Sequence, residues 1–337
     1  MKISIYAFYA FAAAALMTGS LIASAQSYQT TVSLPGITGA TIYTGAPEGF
    51  DPITASASEL EAYGYPTRPD PGDAKAYAHW VRIVSATRVT PTLVATNRYH
   101  RPVQVIGTPA VSDNTTILNS GNWSGYALTG SGSPPFIEVV GDWYVPNIGA
   151  TTKSITGYSS EWVGIDGDCS CNDLIQDGTE ADWFGGAAHY DAWIEFIPNP
   201  EVQIGGFAIA PGDLISAIAE EAVVGGKVTG KYFVTNFSTN KSVSLSLTIP
   251  PKTSFSGKSA EWIVERTDVN GSFMNPLPFY AYTYMDDAWA YKSGSNTKIL
   301  YVTSPNQNIR MFQGADELSS AFTQDSSSMW FQWHNYF

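Results

Sequence analysis

Charged side chains are scarce in this chain of 337 residues. Asp, Glu, Lys and Arg together make up 14% of it, against about a quarter in an average soluble protein. Basic residues are the scarcer kind, since 17 Lys and Arg stand against 30 Asp and Glu and leave a formal net charge of −13. Such an acidic chain repels phosphate backbones, so we expect no nucleic-acid partner. Hydrophobic residues, at 44%, still allow a large core.

Cysteine and histidine are also rare. The two cysteines, Cys169 and Cys171, are separated by one residue. A disulfide at that spacing is geometrically unfavourable, so we expect no ordinary disulfide and leave a bridge to a partner chain open. Two cysteines are too few for a zinc site of thiolates, and the four histidines include no His-Glu-x-x-His pair. We therefore predict neither a metal nor a cofactor.

Several enzyme signatures are missing as well. The sequence has no Gly-x-Ser-x-Gly, no Asp-Thr-Gly or Asp-Ser-Gly, and no Gly-x-x-x-x-Gly-Lys. These absences argue against a serine hydrolase elbow, a pepsin-like aspartate pair and a phosphate-binding loop. A Ser-His-Asp triad stays open, because its members lie far apart in sequence; His189 would be its base.

Long apolar runs are confined to the start of the chain. Lys2, an apolar stretch from Ile5 to about Met17, and the small residues Ala23-Ser24-Ala25 form the pattern of a secretion signal over residues 1–25. A membrane anchor is the alternative. No later stretch is long enough to span a bilayer. We predict an extracellular protein without a membrane association once the signal is removed.

Charge then divides the rest of the chain. Residues 1–115 hold seven basic and seven acidic residues, so the remainder carries the whole −13. Within residues 64–105, six basic and two acidic groups give a local charge of +4. We interpret residues 26–115 as a mainly irregular pro-segment, held partly by ion pairs and acting as an intramolecular inhibitor. The alternative is an extension without an inhibitory role.

The texture changes at about residue 116. Short apolar or alternating runs recur between Gly, Pro, Asn and Ser residues, which is typical of an all-β antiparallel sandwich of two packed sheets, of the lectin-like jelly-roll kind. We predict one such domain over residues 116–337, as a monomer, with one short helix at Ala315–Phe322. The predicted strands are Phe136–Val140, Ser160–Ile165, Tyr190–Ile197, Leu214–Ala219, Lys231–Phe237, Ser242–Ile249, Ala260–Val264 and Ile299–Val302.

Three of these strands carry large or acidic residues on both faces. Side chains alternate along a strand, so Trp162 and Asp166 share a face opposite Val163 and Ile165. By the same alternation, Asp191, Trp193 and Glu195 share one face, and Glu261, Ile263 and Glu265 share another. Acids beside tryptophans are more typical of a substrate cleft than of a solvated sheet face. A second packed layer with a few satisfied acids is the alternative.

These segments resemble a known family. The motifs are Trp162-Val-Gly-Ile-Asp-Gly-Asp168, Leu174-Ile-Gln176, Asp191-Ala-Trp-Ile-Glu-Phe-Ile-Pro198 and Ala260-Glu-Trp-Ile-Val-Glu265, with Asn122-Trp-Ser-Gly125 ahead of them. Their order and spacing over residues 120–270 are similar to those of the glutamic peptidases, the eqolisins. No cysteine outside Cys169 and Cys171 is present for the bridge of the fungal members, and residues 268–337 show no recognisable match.

The resemblance implies a secreted acid endopeptidase, made as a proenzyme, that acts on protein or peptide substrates. It implies Gln176 and Glu265 as the catalytic pair, with Trp162, Asp166, Asp191, Trp193 and Glu195 lining the site. Glu265 would act as a general base on water, and the Gln176 amide, which does not titrate, would stabilise the oxyanion. The alternative is a secreted carbohydrate-active sandwich, either a glycoside hydrolase or a lectin-like binding module. Glu261 and Glu265 lie about 13 Å apart along one strand, too far to be a retaining pair.

Overall fold

The structure, a computed structural model, describes residues 27–112, 115–150, 156–272 and 275–334. The predicted signal at residues 1–25 lies outside these ranges. Two helices, α1 (Ala57–Ala62) and α2 (Ala74–Val84), belong to the N-terminal part. Its strands are β1 (Gln29–Leu34), β2 (Ile37–Tyr43), β3 (Thr87–Arg88), β4 (Thr92–Ala95), β5 (Arg98–Tyr99) and β6 (Val105–Ser112).

The remaining strands all follow residue 114. They are β7 (Thr115–Ser120), β8 (Trp123–Thr129), β9 (Phe136–Tyr144), β10 (Ser160–Ile165), β11 (Leu174–Phe184), β12 (Ala187–Ile197), β13 (Val202–Gly205), β14 (Leu214–Val224), β15 (Lys227–Asn236), β16 (Lys241–Thr248), β17 (Ser259–Glu265), β18 (Asp268–Val269), β19 (Tyr282–Lys292), β20 (Ile299–Leu300), β21 (Asn306–Gln313), β22 (Asp316–Thr323) and β23 (Met329–Trp333). Seven of the eight predicted strands are confirmed with small shifts of their bounds, the one predicted at Ile299–Val302 is limited to Ile299–Leu300, and the fold is nearly all β.

The sheet folds back on itself to make two layers. The front layer is β8-β17-β10-β11-β12-β13, and the back layer is β16-β15-β14-β9-β19; all of these pairings are antiparallel. Strands β23, β22 and β21 connect β19 to β8. Between the layers, β10 packs against β9 and β14, β11 packs against β14 and β15, and β17 packs against β9. The antiparallel sandwich predicted from the sequence is therefore present.

The two faces of the front layer carry different side chains. Val163, Ile194 and Trp262 belong to the large core between the layers. Trp162 and Trp193 belong to a separate cluster on the opposite, outer face, together with Ile263. This division confirms the alternation read from the sequence, and it places the acids that alternate with the core residues on the outer face.

The N-terminal extension, residues 27–112, wraps around both layers and is more regular than the sequence predicted. Strand β4 adds to the free side of β13, and β2 adds to β16. Asp73 caps the N-terminus of helix α2, because its side chain accepts a hydrogen bond from the backbone N–H of Ala76, and the helix buries one apolar side. From this helix, Lys75 and His79 reach Asp287 and Asp142 of the body at 2.7 and 2.9 Å.

Two local predictions were wrong. Residues 316–323 form strand β22 instead of a helix, because they pair on both sides with β21 and β23, and this tertiary pairing overrides local propensity. Cys169 and Cys171 form a disulfide, since the loop after β10 brings their Cα atoms to 5.2 Å, within the range that a disulfide spans.

The core contains buried carboxyl groups that have no basic partner among the described residues. We therefore expect the free energy of unfolding to fall as pH rises. Asp177 is fully buried on the core face of β11, and burial raises its pKa well above the ordinary value, opposed only in part by the backbone N–H of Ile218. A carboxyl with a raised folded-state pKa holds its proton longer when folded, so stability is full below the unfolded pKa of about 4 and is lost as pH rises toward the folded pKa.

We expect Asp177→Asn to flatten this loss, because the amide has no proton to release. Unfolding is followed by temperature at pH 4 and pH 8 in a Glu265→Gln background, which prevents self-digestion if Glu265 is catalytic. Each 1 kcal/mol recovered at pH 8 raises the Tm by about 2–4 °C. The control is Asp316→Asn, an exposed carboxyl. Equal pH slopes for the two variants would contradict the prediction.

Candidate active site

Strand register brings the predicted site residues onto neighbouring positions of the outer face. Gln176 of β11 lies opposite Glu195 of β12 and Gly164 of β10. Glu265 of β17 lies opposite Ser160 of β10, which in turn lies opposite Glu180 of β11. Between these two rows runs a third, with Ile263, Trp162, Gly178 and Trp193. Gly164 leaves room for the Trp162 ring, since a Cβ there would lie 2.9 Å from the ring, and Gly178 leaves room for the backbone of Glu161 and the Cβ of Trp162.

Glu265 is fully buried and fully hydrogen-bonded. Its Oε1 accepts from the backbone N–H of Arg101 at 3.0 Å and from the Asn122 amide at 3.3 Å. Its Oε2 accepts from the Trp162 indole at 3.0 Å and lies 3.3 Å from His100 Nδ1. Burial raises the pKa of Glu265, and the hydrogen bond and charge of His100 oppose that shift. Three fixed donors beside His100 favour the ionised carboxylate.

The side chain of Gln176 makes one short hydrogen bond. Its Nε2 donates to Glu195 Oε2 at 2.6 Å. The other oxygen of each residue, Gln176 Oε1 and Glu195 Oε1, is buried and meets no hydrogen-bond partner in the described part of the chain. Burial raises the pKa of Glu195 well above its ordinary value. Buried atoms without partners are rare and mark a place where a further polar group can bind.

His100 of the extension lies between these two groups. Its ring stacks on Trp193 with centroids 3.6 Å apart and planes 9° from parallel. Nδ1 faces Glu265, and Nε2 lies 3.1 Å from Glu180 and 3.2 Å from Glu201. The backbone N–H of His100 donates to Glu195 Oε2 at 3.3 Å. Gln176 and Glu265 are thus connected through Glu195 and His100, and no direct contact joins them in the described residues.

The imidazole of His100 is held as a cation. Burial alone would lower its pKa, but hydrogen bonds to Glu180, Glu201 and Glu265 outweigh burial and raise the pKa well above the ordinary value. For the acid Glu180, burial alone would raise the pKa, but the hydrogen bond and charge of His100 and the charge of Arg98 outweigh burial and lower it. The His100–Glu180 contact is therefore an ion pair inside the protein.

Two arginines flank His100 and also contact carboxylates. Arg98 lies 2.6 Å from Asp182 and 3.5 Å from Asp191. Arg101 lies 2.7 Å from Asp268, just beyond the end of β17. The carbonyl groups of Arg101 and Pro102 accept from the Asn122 amide. This stretch of the extension, residues 97–104, covers the outer face from Asp191 to Asn122, and we call it the cleft segment.

The seven residues singled out in the sequence take different positions. Gln176 and Glu195 form a hydrogen bond with each other, and Trp162 forms one with Glu265. Trp193 stacks on His100, and Asp191 pairs with Arg98. Asp166 does not join this cluster. Its carboxylate accepts from the backbone N–H groups of Ser256 and Lys258 at 3.1 and 2.6 Å, so it fixes the loop ahead of β17. That placement suits a positioning role better than the substrate contact that the sequence predicted.

Three groups of described residues bring possible metal ligands within 4.8 Å of one another: His100, Glu180 and Glu201; His79, Asp142 and Asp287; and Asp166, Cys169 and Cys171. Each has another explanation in the structure. The two histidines pair with the carboxylates, and the cysteines are oxidised to a disulfide. Asp166 accepts from backbone N–H groups, as described above.

Sequence reasoning missed the residues that cover the site. Arg98 was counted only in the +4 charge of residues 64–105, His100 only among the four histidines, and Glu201 lies three residues beyond the matched segment Asp191–Pro198. Glu180 carried a usable signal, because it lies four residues after Gln176 on one strand and must share its face. Asn122 was noted only as part of a motif, although it contacts both Glu265 and the cleft segment.

The chain is thus an all-β sandwich with a carboxamide and several carboxylates on one outer face, and the comparisons with known proteins identify its family. The model of the Peptidase A4 family matches residues 121–333. The chain belongs to this family. The match favours a peptidase over the carbohydrate-active alternative.

Relatives agree with that assignment. Aspergillopepsin-2 of Aspergillus niger is 29% identical over 193 residues, which are 52% of this chain and 66% of the relative. Scytalidopepsin B of Scytalidium lignicola is 30% identical over 169 residues, 48% of this chain and 59% of the relative. The matched region thus spans somewhat less than two thirds of each curated relative.

A solved structure shows the same fold. The structure of scytalido-glutamic peptidase with a peptide-based transition-state analogue is 23% identical and superimposes with a TM-score of 0.53. The alignment covers 64% of this chain and 98% of that one. At this identity the likeness supports the sandwich fold and no residue assignment.

Proposed function

We propose that this chain is the precursor of an acid endopeptidase whose catalytic pair is Glu265 and Gln176. The observation that carries the proposal is the position of His100, which fills the space between the carboxylate of Glu265 and the Gln176–Glu195 pair. A peptide substrate and a water molecule would need that space. The family to which the chain belongs, and the names of its relatives, support peptides as the substrate class.

The two groups suit peptide hydrolysis chemically. With the cleft segment gone, Glu265 regains water, which relieves the burial that raises its pKa, and it keeps the donors Asn122 and Trp162. It can then take a proton from water in acid and return it to the leaving nitrogen. The Gln176 amide keeps its N–H donors at any pH and can donate to the oxyanion. Trp162 and Trp193 would wall the cleft.

Residues 26–115 would be the inhibitory pro-segment. The cleft segment supplies Arg98, His100 and Arg101, each of which contacts a carboxylate of the body. Beyond it, all eight residues of β6 are exposed, so a cut there, or at the proposed boundary near residue 115, would separate it from β7. We also propose secretion through residues 1–25. Among the residues that the structure describes, no helix is long and apolar enough to cross a bilayer.

We expect the cleft segment to bind less tightly in acid, because it is held by ion pairs with carboxylates. His100 faces Glu180, Glu195, Glu201 and Glu265, and Arg98 faces Asp182, Asp191 and Glu201. The pKa of Glu180 is lowered when the segment is bound, so its contribution to binding is full above the ordinary carboxyl pKa and is lost as pH falls through the lowered value. Burial raises the pKa values of Asp182, Asp191, Glu195 and Glu265, which opposes release, so the expected release in acid depends on the ion pairs of Glu180.

We expect the purified full-length chain to lose its N-terminal extension in acid and to keep it near neutrality. In His100→Gln the pH midpoint should rise by about one unit or more, because each hydrogen bond to a charged group contributes about 1.5–3 kcal/mol and one pH unit corresponds to about 1.4 kcal/mol. Gel analysis over pH 3–7 measures the midpoint. His189→Gln, which changes an exposed histidine, is the matched control. Processing that ignores pH would reject this release mechanism.

The class of the enzyme is tested by digestion of a denatured protein at acid and neutral pH, with pepstatin and a chelator present in parallel samples. A glutamic peptidase should be active in acid only and should survive both inhibitors. Inhibition by pepstatin would indicate an aspartate pair, and inhibition by the chelator would indicate a metal.

A further inference from the structure

Two buried carboxyl groups hold the loop that joins β10 to β11, residues 166–173, against the chain ahead of β17. Asp173, at the end of the loop, accepts hydrogen bonds from the backbone N–H and the hydroxyl of Ser256, at 2.9 and 3.0 Å. Asp166, at the start of the loop, accepts from the same N–H at 3.1 Å. Ser256 is therefore held from both ends of the loop at once.

The two carboxyl groups also contact each other. Asp166 and Asp173 are each 1% exposed, and burial together with the hydrogen bond and charge of Asp166 raises the pKa of Asp173 to about 7. Two carboxyl groups in hydrogen-bond contact hold one proton between them, because two carboxylates would repel each other. The contact closes the loop at its base, and the Cys169–Cys171 disulfide lies within the closed loop.

The backbone at Asp166 is strained. Its φ of 82° lies in the left-handed region, which is uncommon for a residue with a side chain. Such a conformation persists only where surrounding contacts hold it, and here the N–H groups of Ser256 and Lys258 hold the Asp166 carboxylate. Strained residues of this kind are concentrated at functional sites. The strain and the shared donor together indicate that the position of this loop serves the site.

The loop contact connects the two strands that carry the proposed catalytic pair. Asp173 lies three residues before Gln176 of β11, and Ser256 lies nine residues before Glu265 of β17. Strand β10 lies between β11 and β17 and pairs with both, so the two catalytic strands are not neighbours in the sheet. The hydrogen bonds between Asp173 and Ser256 cross the end of β10 and join the chain segments that enter the two strands.

We propose that Asp173 is a positioning residue for peptide hydrolysis, which fixes Gln176 relative to Glu265 through its hydrogen bonds to Ser256. It acts on the reaction only through the two strands. This inference rests on the proposed catalytic pair and adds a residue outside the motifs that identified the pair. A misplacement of about 1 Å can lower a rate by about 10². Loss of these hydrogen bonds should therefore lower kcat far more than it changes KM.

The test compares two variants of the full-length chain on one peptide substrate in acid, after a small amount of the unmodified chain has removed their extensions and its activity has been subtracted. Asp173→Ala should lower kcat about 10- to 100-fold and change KM by less than about threefold. Asp173→Asn should restore kcat to within about threefold, because the amide keeps an acceptor for the N–H of Ser256 and can donate to Asp166. Asp213→Ala is the matched control, since Asp213 braces a loop of the back layer through the N–H of Ala210, and it should leave both constants unchanged.

The results separate this inference from the function beneath it. An unchanged kcat in Asp173→Ala, a loss confined to KM, or an Asp173→Asn variant as slow as Asp173→Ala would each overturn the positioning role and leave the peptidase standing. If circular dichroism shows that Asp173→Ala does not fold, Ser256→Ala, which removes only the hydroxyl donor, takes its place. A severalfold loss of kcat in that variant supports the role, and an unchanged kcat overturns it. Failure of the unmodified chain to cleave any peptide in acid would overturn the proposed function and this inference together.

Discussion

Glu265→Gln should abolish proteolysis without changing the fold. Glutamine keeps the size of the side chain but has a single acceptor oxygen, so it can keep either the hydrogen bond from Trp162 or those from Arg101 and Asn122, while the rest of the sheet pairing is unchanged. It cannot accept a proton from water, which removes the general base and the acid for the leaving nitrogen together. The expected result is a rate on an added peptide substrate that is indistinguishable from background, with an unchanged circular dichroism spectrum.

Loss of activity could also arise because the variant fails to remove its own extension. A small amount of the unmodified, active protein is therefore added to Glu265→Gln to remove its extension. We expect the variant to remain inactive after the activity of the added protein is subtracted. Glu317→Gln is the matched control, since Glu317 is partly exposed and its carboxylate lies 4.0 Å from His334, far from the candidate site. Activity within tenfold of the unmodified chain would remove Glu265 from the mechanism.

Gln176→Ala should lower kcat by about 10²–10³, which corresponds to about 2.7–4 kcal/mol of transition-state stabilisation for one oxyanion donor. KM should change much less, because the amide acts on charge that develops only in the transition state. The truncation also removes the donor to Glu195. Steady-state kinetics in acid measures both constants, with Gln332→Ala on β23 as the control. A near-normal kcat, or a loss confined to KM, would reject the oxyanion role.

Much of the fold was readable because strand alternation is a local property. The pairs Trp162–Val163 and Trp193–Ile194 each point one residue to the outer face and the next to the core, and no tertiary information was needed to see this. The helix predicted at residues 315–322 failed for the opposite reason. Its state is decided by pairing with β21 and β23, which a local pattern does not reveal.

The site was predictable only in part. Motif resemblance singled out Gln176 and Glu195, and register places them side by side. Nothing in the sequence around His100 indicates that it meets Glu265, which is 165 positions away, because that contact depends on the path of the extension over a finished sheet. Asp166 is the opposite case. Its motif predicted a position in the cleft, but its carboxylate accepts a hydrogen bond from the backbone of a neighbouring loop.

Strand β4 has a consequence for the protein if the extension is removed, as we propose. Residues 92–95 hydrogen-bond along the whole of β13, which otherwise ends the front layer on that side. Their departure turns Val202–Gly205 into an open edge, and such edges pair readily with strands of other molecules. The same segment of chain would thus act as a molecular cover, and a preparation stripped of it should aggregate more readily as its concentration rises.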